Sequence, residues 1–361
     1  MNNKKNAFFK IIIIFFILLN IILNTKKIYI INNEISLSGL NLSNEFNKIY
    51  STLYYERIKG INKPFYNYNY TIKNYSNKKS KGLCLCTIGK NENLYAREFV
   101  EYYKQLGFDK IVIFDNNNIG NEKLENVLRD YVNNNFVKII DIRGLKSAQI
   151  AAFNFCYQKY NYLYDWIAFF DFDEYLFINE SNKIKDYIYK EEFQKCQSIL
   201  FNWYFYDDND LEKYENKSIL ERFNHLKQKT LRAKSMVRGN INNLLIPSTH
   251  IIGININYFC NSNGMRVFPK TFYDIDYPKN NKAFIKHFYT KTVKEFCNKI
   301  LKGDAQFHKD QPNYTSIINN KLSLFFSINK VTKKKKKILK SCLNKHLNNY
   351  NFYPVRNYKK K

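Results

Sequence analysis

From Leu83 onward the chain alternates between two hydrophobic periods. Leu83 to Ile88 is a short apolar run that ends at Gly89, the pattern of a buried strand. Ala96, Phe99, Val100 and Tyr103 then recur at helical spacing, and Gly107 is placed to end that helix. Lys110 to Phe114 predicts a second strand, and Leu124, Val127, Leu128 and Tyr131 a second helix. Phe136 to Ile140 predicts a third strand, Ser147 to Tyr160 a third helix, and Trp166 to Phe170 a fourth strand. Such alternation predicts βαβ units, and so an α/β fold whose parallel sheet is flanked by helices. Ligands of such sheets bind beyond the carboxyl ends of the strands.

The region before Leu83 has a different pattern. Ala7 to Leu23 is almost wholly apolar, interrupted by Lys10 and Asn20 and flanked by Lys4, Lys5, Lys26 and Lys27. A full membrane span needs about 20 residues, and Lys10 can extend a shorter one by reaching the interface. No small-x-small site follows Leu23, which favours an uncleaved single-pass anchor over a signal peptide. The flanking charges are nearly balanced and give no orientation. The predicted organisation is an anchor over 1–27, a stem over 28–80 with a short helix near Asn44 to Ile58, a main domain over 81–310, and a basic tail over 311–361.

Composition narrows the picture. At 361 residues and 45% hydrophobic, the chain can build a large core, which excludes wholesale disorder. Lys and Arg number 58 against 31 Asp and Glu, a formal charge of +27. That excess suits phosphate, nucleic acid or an acidic membrane face. An AT-rich coding sequence, which favours Asn, Lys, Ile and Tyr, would also produce it. Lys333 to Lys337 and Lys359 to Lys361 are basic blocks of the kind that bind anionic headgroups, so a membrane is an expected partner. The seven cysteines are scattered without zinc-site spacing, and buried free thiols are the default expectation. Asn-x-Ser/Thr sites occur at Asn41, Asn69, Asn74, Asn179, Asn216 and Asn313, but in so Asn-rich a chain they decide little.

Polar groups gather at the predicted strand ends. Thr87, Lys90, Asn91 and Glu92 follow the first strand, Asp115 closes the second, and Asp141 and Arg143 follow the third. Asp171, Phe172, Asp173 and Glu174 follow the fourth. Two aspartates at i and i+2 after a buried strand can share a hard cation, Mn2+ or Mg2+, together with substrate phosphate oxygens. Three acids between apolar runs are costly unless paired or metal-bound. Lys146 and Gln149 open the helix after the third strand, where donors approach the same rim. Asp207, Asp208 and Asp210 follow the aromatic run Leu200 to Tyr206.

These residues carry a resemblance. Cys86-Thr-Ile-Gly-Lys-Asn-Glu92, Ile111-Val-Ile-Phe-Asp-Asn-Asn117 and Asp171-Phe-Asp-Glu-Tyr-Leu176 together resemble glycosyltransferase family 92, the DUF23 proteins. Lys234-Ser-Met-Val-Arg238, His250, and Ile285-Lys-His-Phe-Tyr-Thr-Lys291 followed by Glu295-Phe and Lys302-Gly303 extend it, so that it covers about Leu83 to Gly303. The resemblance implies a GT-A fold, a Rossmann-like, mostly parallel sheet that binds a nucleotide sugar. It places Thr87, Asn91 and Glu92 near the nucleotide and Asp115 on the base or ribose. Asp171 and Asp173 fall on the ribose and the metal-bound diphosphate, and His250 and His287 are candidates to complete the metal shell. The family's general inversion of the anomeric carbon calls for a base, for which Asp207 is nominated. Near Trp203 the chain departs from the family pattern, with Tyr206 and Asp207 in place of Gly and small polar residues.

The predicted activity is therefore metal-dependent transfer of a sugar from a nucleotide-sugar donor to a glycan or lipid-linked acceptor. The alternative is a nucleic-acid-binding or nucleotidyl-transfer protein using the basic surface and the paired aspartates. The predicted anchor argues against that alternative, and no specific nucleic acid is expected.

Overall fold

The structure is a computed structural model that describes residues 44–58, 82–242, 244–303 and 314–346. The predicted anchor lies outside the described residues. Among the described residues, no helix is long and apolar enough to cross a membrane. Helix α1 (Asn44–Ile58) stands where the stem pattern predicts one and belongs to a compact unit of its own.

The second unit begins with the predicted alternation. It runs β1 (Leu83–Gly89), α2 (Asn93–Leu106), β2 (Lys110–Asp115), α3 (Leu124–Val127), α4 (Arg129–Asn133), β3 (Val137–Asp141), α5 (Gln149–Tyr160) and β4 (Trp166–Phe169). Gly107 caps α2 in the left-handed conformation, φ 104°, as its place in the pattern predicts. The third helix starts two residues later than predicted, because Ser147 is itself left-handed at φ 53°.

Strands β5 (Glu174–Ile178), β6 (Ser198–Tyr206), β7 (Leu226–Arg238), β8 (Phe259–Asn261) and β9 (Ala283–His287) complete one sheet of order β3-β2-β1-β4-β7-β6-β9-β5, with β8 alongside β6. The β3-β2-β1-β4 half is parallel. Beyond it the sheet is mixed, since β7 runs antiparallel to β4 and β6, and β9 antiparallel to β5. The sequence pattern predicts only the parallel half. β5 follows β4 closely in the chain yet pairs at the far end of the order, so the sheet curls back on itself. Residues 170–173 span that closure and carry Asp171 and Asp173.

A buried aromatic layer fixes the closure. The Phe172 ring lies 4.7 Å from that of Phe99 on α2. Tyr103 donates to the Glu174 carbonyl at 2.8 Å and accepts from the Leu176 N–H at 3.1 Å. Gly89 has no side chain for a specific reason: a Cβ there would sit 2.8 Å from the Phe172 ring.

The basic tail is folded rather than solvated over much of its length. Two short helices, α6 (Ile184–Ile188) and α7 (Ile219–Arg222), lie between the later strands, and helices α8 (Val293–Lys302), α9 (Tyr314–Ile328) and α10 (Lys333–His346) share a small core that includes Phe296, Ile300, Phe325, Leu339 and Leu343. Inside the basic run, Lys335 is buried and its ammonium meets Asp208 and Asp210, each at 2.8 Å. The expectation of free thiols fails for most of the cysteines. Cys86–Cys156, Cys196–Cys260 and Cys297–Cys342 are disulfides, and Cys84 is free and buried. The pairs are 45 to 70 residues apart in the chain, so local spacing carried no sign of them.

Candidate active site

Asp171 and Asp173 lie just past the carboxyl end of β4, and each is held by a different set of side chains. Asp171 Oδ1 accepts from Gln149 Nε2 at 2.7 Å, and its Oδ2 meets Lys234 Nζ at 2.7 Å. Lys234, on β7, is fully buried and also lies 3.6 Å from Glu174. Burial lowers the Lys234 ammonium, but Asp171 and Glu174 outweigh it and hold the group above its ordinary value. Burial pushes Glu174 well up, so this acid is not a second free carboxylate beside Asp171.

Asp173 points the other way. Its Oδ2 accepts from Lys299 Nζ at 2.6 Å, and its Oδ1 lies 3.5 Å from His287 Nε2. Burial alone would raise this carboxyl, yet Lys299, His287 and Lys291 hold it well below the usual range. His287 arrives because β9 pairs with β5, register His287 to Glu174, and with β6, register His287 to Phe205. Burial lowers its imidazole despite the nearby carboxylate, and its Nδ1 is buried without a hydrogen-bond partner.

Glu92 forms the adjoining wall. It pairs with Lys291 at 3.2 Å and closely with Lys302, and the two lysines overcome burial to keep it ionised. Lys299 and Lys302 lie on α8, and Lys291 just before it. The capping box of Thr292 and Glu295 fixes the start of α8, and the Cys297–Cys342 disulfide ties the helix to α10.

Of the residues predicted from the sequence, Gln149, Asp171, Asp173, Glu92 and His287 are thus brought together. The others take different places. Thr87 is wholly buried in β1, beneath the rim rather than on it. Asp115 accepts from the Asn117 and Leu124 N–H groups at 3.0 and 2.9 Å, so both of its oxygens hold backbone. Asn91, left-handed at φ 55°, donates its N–H to Asn117 Oδ1 at 2.6 Å. Lys146 is exposed on the turn before α5. His250 turns its Nδ1 to the Ala233 carbonyl at 3.2 Å and packs on Trp203, which also packs against His287. Asp207 follows β6, accepts from the Asn209 N–H and lies 3.8 Å from His225.

Lys234, Lys291, Lys299 and Lys302 are site residues to which the sequence reading assigns no role, although all but Lys299 are among the residues quoted for the family resemblance. The available signals were Lys234 between Ala233 and the Met236-Val237 pair, and Lys299 and Lys302 one helical turn apart.

A divalent cation fits this arrangement at one point. Asp173 Oδ1 and His287 Nε2 face each other beyond ordinary hydrogen-bond length, both nearly buried. One carboxylate and one imidazole, supplemented by phosphate oxygens and water, are a sufficient donor set for Mg2+ or Mn2+. Among the described residues no group of three or more His, Cys, Asp or Glu is disposed to hold a metal. Asp171 is committed to Gln149 and Lys234, and His250 to Ala233.

The family model of glycosyltransferase family 92 matches residues 79–263, which span the strands and turns that carry this site apart from β9 and α8. The chain belongs to glycosyltransferase family 92. This family 92 chain is 26% identical over 109 residues to a family 92 protein of Ricinus communis, covering 30% of this chain and 19% of that protein. It is 25% identical over 109 residues to one of Oryza sativa subsp. japonica, covering 30% and 18%. The match thus spans about a fifth of those relatives' length. Residues 1–349 of TarS from S. aureus, solved in complex with UDP-GlcNAc, align over 73% of this chain and 80% of that one at 11% identity, with a TM-score of 0.33.

Proposed function

We propose that this family 92 chain transfers a sugar from a nucleotide-sugar donor to a glycan or lipid-linked acceptor, with inversion. The observation that carries the reading is the placement of Asp171 and Asp173 at the carboxyl end of β4, backed by His287 and a wall of lysines. Departure of a nucleoside diphosphate builds negative charge on phosphate, and preorganised cations lower its energy. A cation bound by Asp173 and His287 would supply Lewis-acid stabilisation to that leaving group. Gln149 and Lys234 hold Asp171 in one orientation, leaving its carboxylate edge to accept from a sugar or ribose hydroxyl.

The base that deprotonates the acceptor hydroxyl is assigned to Asp207. Of the three acids after β6, Asp208 and Asp210 are both tied to Lys335. Asp207 has no lysine partner among the described contacts, and its N–H continues the ladder to the His225 carbonyl at 3.1 Å. It lies two residues beyond Phe205, which registers with His287.

The three disulfides support a further part of the reading, that the domain works in an oxidising compartment. A membrane-anchored enzyme with its domain outside the cytosol fits that reading. The test is equilibrium binding of UDP, GDP and CDP while Mn2+ is titrated. Binding of at least one that is strengthened by Mn2+ and lost in Asp171→Ala supports the proposal. Indifference of all three to the substitution contradicts it.

A further inference from the structure

We infer that Lys291, Lys299 and Lys302 form the seat of the donor's diphosphate, and that Asp173 and Glu92 hold these ammonium groups in place until it arrives. The inference rests on the nucleotide-sugar reading above and names the groups that take the donor's charge.

Lys299 converges on Asp173, and Lys291 and Lys302 on Glu92. Among the described residues these direct pairs set three ammonium groups against two carboxylates, and Glu98 is a further acid that acts on Lys291. The lysine side chains are only 10 to 22% exposed. A buried ammonium is costly unless counter-charge meets it.

The remaining donors agree. Lys299 gives one N–H to Asp173 and one to the Tyr289 carbonyl at 3.0 Å. Lys302 gives one to Glu92 and one to the Lys90 carbonyl at 2.6 Å. Lys291 reaches Glu92 and lies 3.6 Å from the centre of the Tyr95 ring. An ammonium has three N–H donors, so each keeps at least one beyond these bonds. A diphosphate offers many acceptor oxygens and supplies counter-charge. Lys302 bonds to the Lys90 carbonyl, so the cluster adjoins the loop after β1 as well as the turn after β4. Both loops lie at the carboxyl ends of adjacent parallel strands, where such sheets bind ligands.

The carboxylates then act as competitors as well as anchors. Asp173 can offer its second oxygen, Oδ2, to a ligand only if Lys299 is released, and a phosphate oxygen provides that ammonium's new partner. Lys299 thus holds Asp173 Oδ2 until the diphosphate arrives.

Inorganic pyrophosphate, titrated calorimetrically into the full chain in EDTA, tests this directly. Wild type binds it. Lys299→Met and Lys302→Met each weaken binding by about tenfold or more, the loss of one charge-assisted bond, whereas Lys336→Met on the exposed side of α10 does not. Asp173→Asn removes the competitor, so in EDTA it binds pyrophosphate more tightly than wild type. That rise decides the matter if the lysine variants fail to fold. No binding by wild type, unchanged affinity in folded lysine variants, or no rise in Asp173→Asn overturns the inference. Lysine-dependent pyrophosphate binding in a protein that turns over no nucleotide sugar would instead overturn the donor reading and leave the anion seat standing.

Discussion

Lys299 Nζ and Asp173 Oδ2 are 2.6 Å apart, although 126 residues separate them in the chain. This contact joins the helical C-terminal region to the turn after β4. It makes the second aspartate of the Asp-Phe-Asp run part of an ion-pair network rather than a solvated turn.

Replacing Asp173 with Asn therefore has two consequences. Under the proposed function, loss of the carboxylate removes the group that would hold the cation on the donor's diphosphate, and turnover is expected to fall by at least about a hundredfold. Lys299 also loses its ionic partner while keeping the Tyr289 carbonyl, so unfolding free energy falls by about 1–3 kcal/mol. Steady-state kinetics and denaturant unfolding on one preparation separate the two.

Lys234 is wholly buried between Asp171 and Glu174. Lys234→Met removes one charge-assisted bond to the half-buried Asp171, which keeps Gln149, and costs about 1–3 kcal/mol. Urea unfolding is the measurement, with an unchanged midpoint as the contrary result.

Acid sensitivity has a defined sign. The Asp173 carboxyl is held below its ordinary value of 3.8. Its contribution to stability is complete above that value and is lost as pH falls through the lower folded-state value. Glu92 acts in the same direction from its ordinary value of 4.5. Glu174, pushed up by burial, has the opposite sign. Thermal melts of wild type should fall away below about pH 4, and Asp173→Asn should show a shallower fall.

The disulfides predict a mass result. Intact protein made under oxidising conditions should be six hydrogens lighter than the reduced chain, reflecting the three bridges. Iodoacetamide under native conditions should leave Cys84 unmodified, because it is buried and burial pushes its thiol up. Reduction should lower the melting temperature, the Cys297–Cys342 link alone contributing about 3–4 kcal/mol.

Much of this architecture is legible in the sequence, and the remainder is hidden for physical reasons. Local periodicity marks β1 to β4 and their helices because each element buries a face within its own span. Position after β4 marks Asp171 and Asp173. The closing strands are harder, because the sheet's curl depends on β9 meeting both β5 and β6 across long chain separations. For the same reason neither Lys234 nor Lys299 has an assigned role until the fold brings them to acids 63 and 126 residues away. Asp115 shows the reverse case. Its place at a strand end suggests ligand binding, yet backbone N–H groups occupy both of its oxygens. Lys335 likewise reads as one of a solvated run, and helical geometry turns it alone inward to Asp208 and Asp210.

The central claim is that Asp173 and its surroundings engage the diphosphate of a nucleotide sugar. Its most direct measurement is nucleoside diphosphate release from a panel of nucleotide sugars with Mn2+, comparing wild type with Asp173→Asn. Release from at least one sugar by wild type, lost in the variant while its fold persists, is the predicted result. Release that survives the substitution, or no release from any donor by folded wild type, would contradict it.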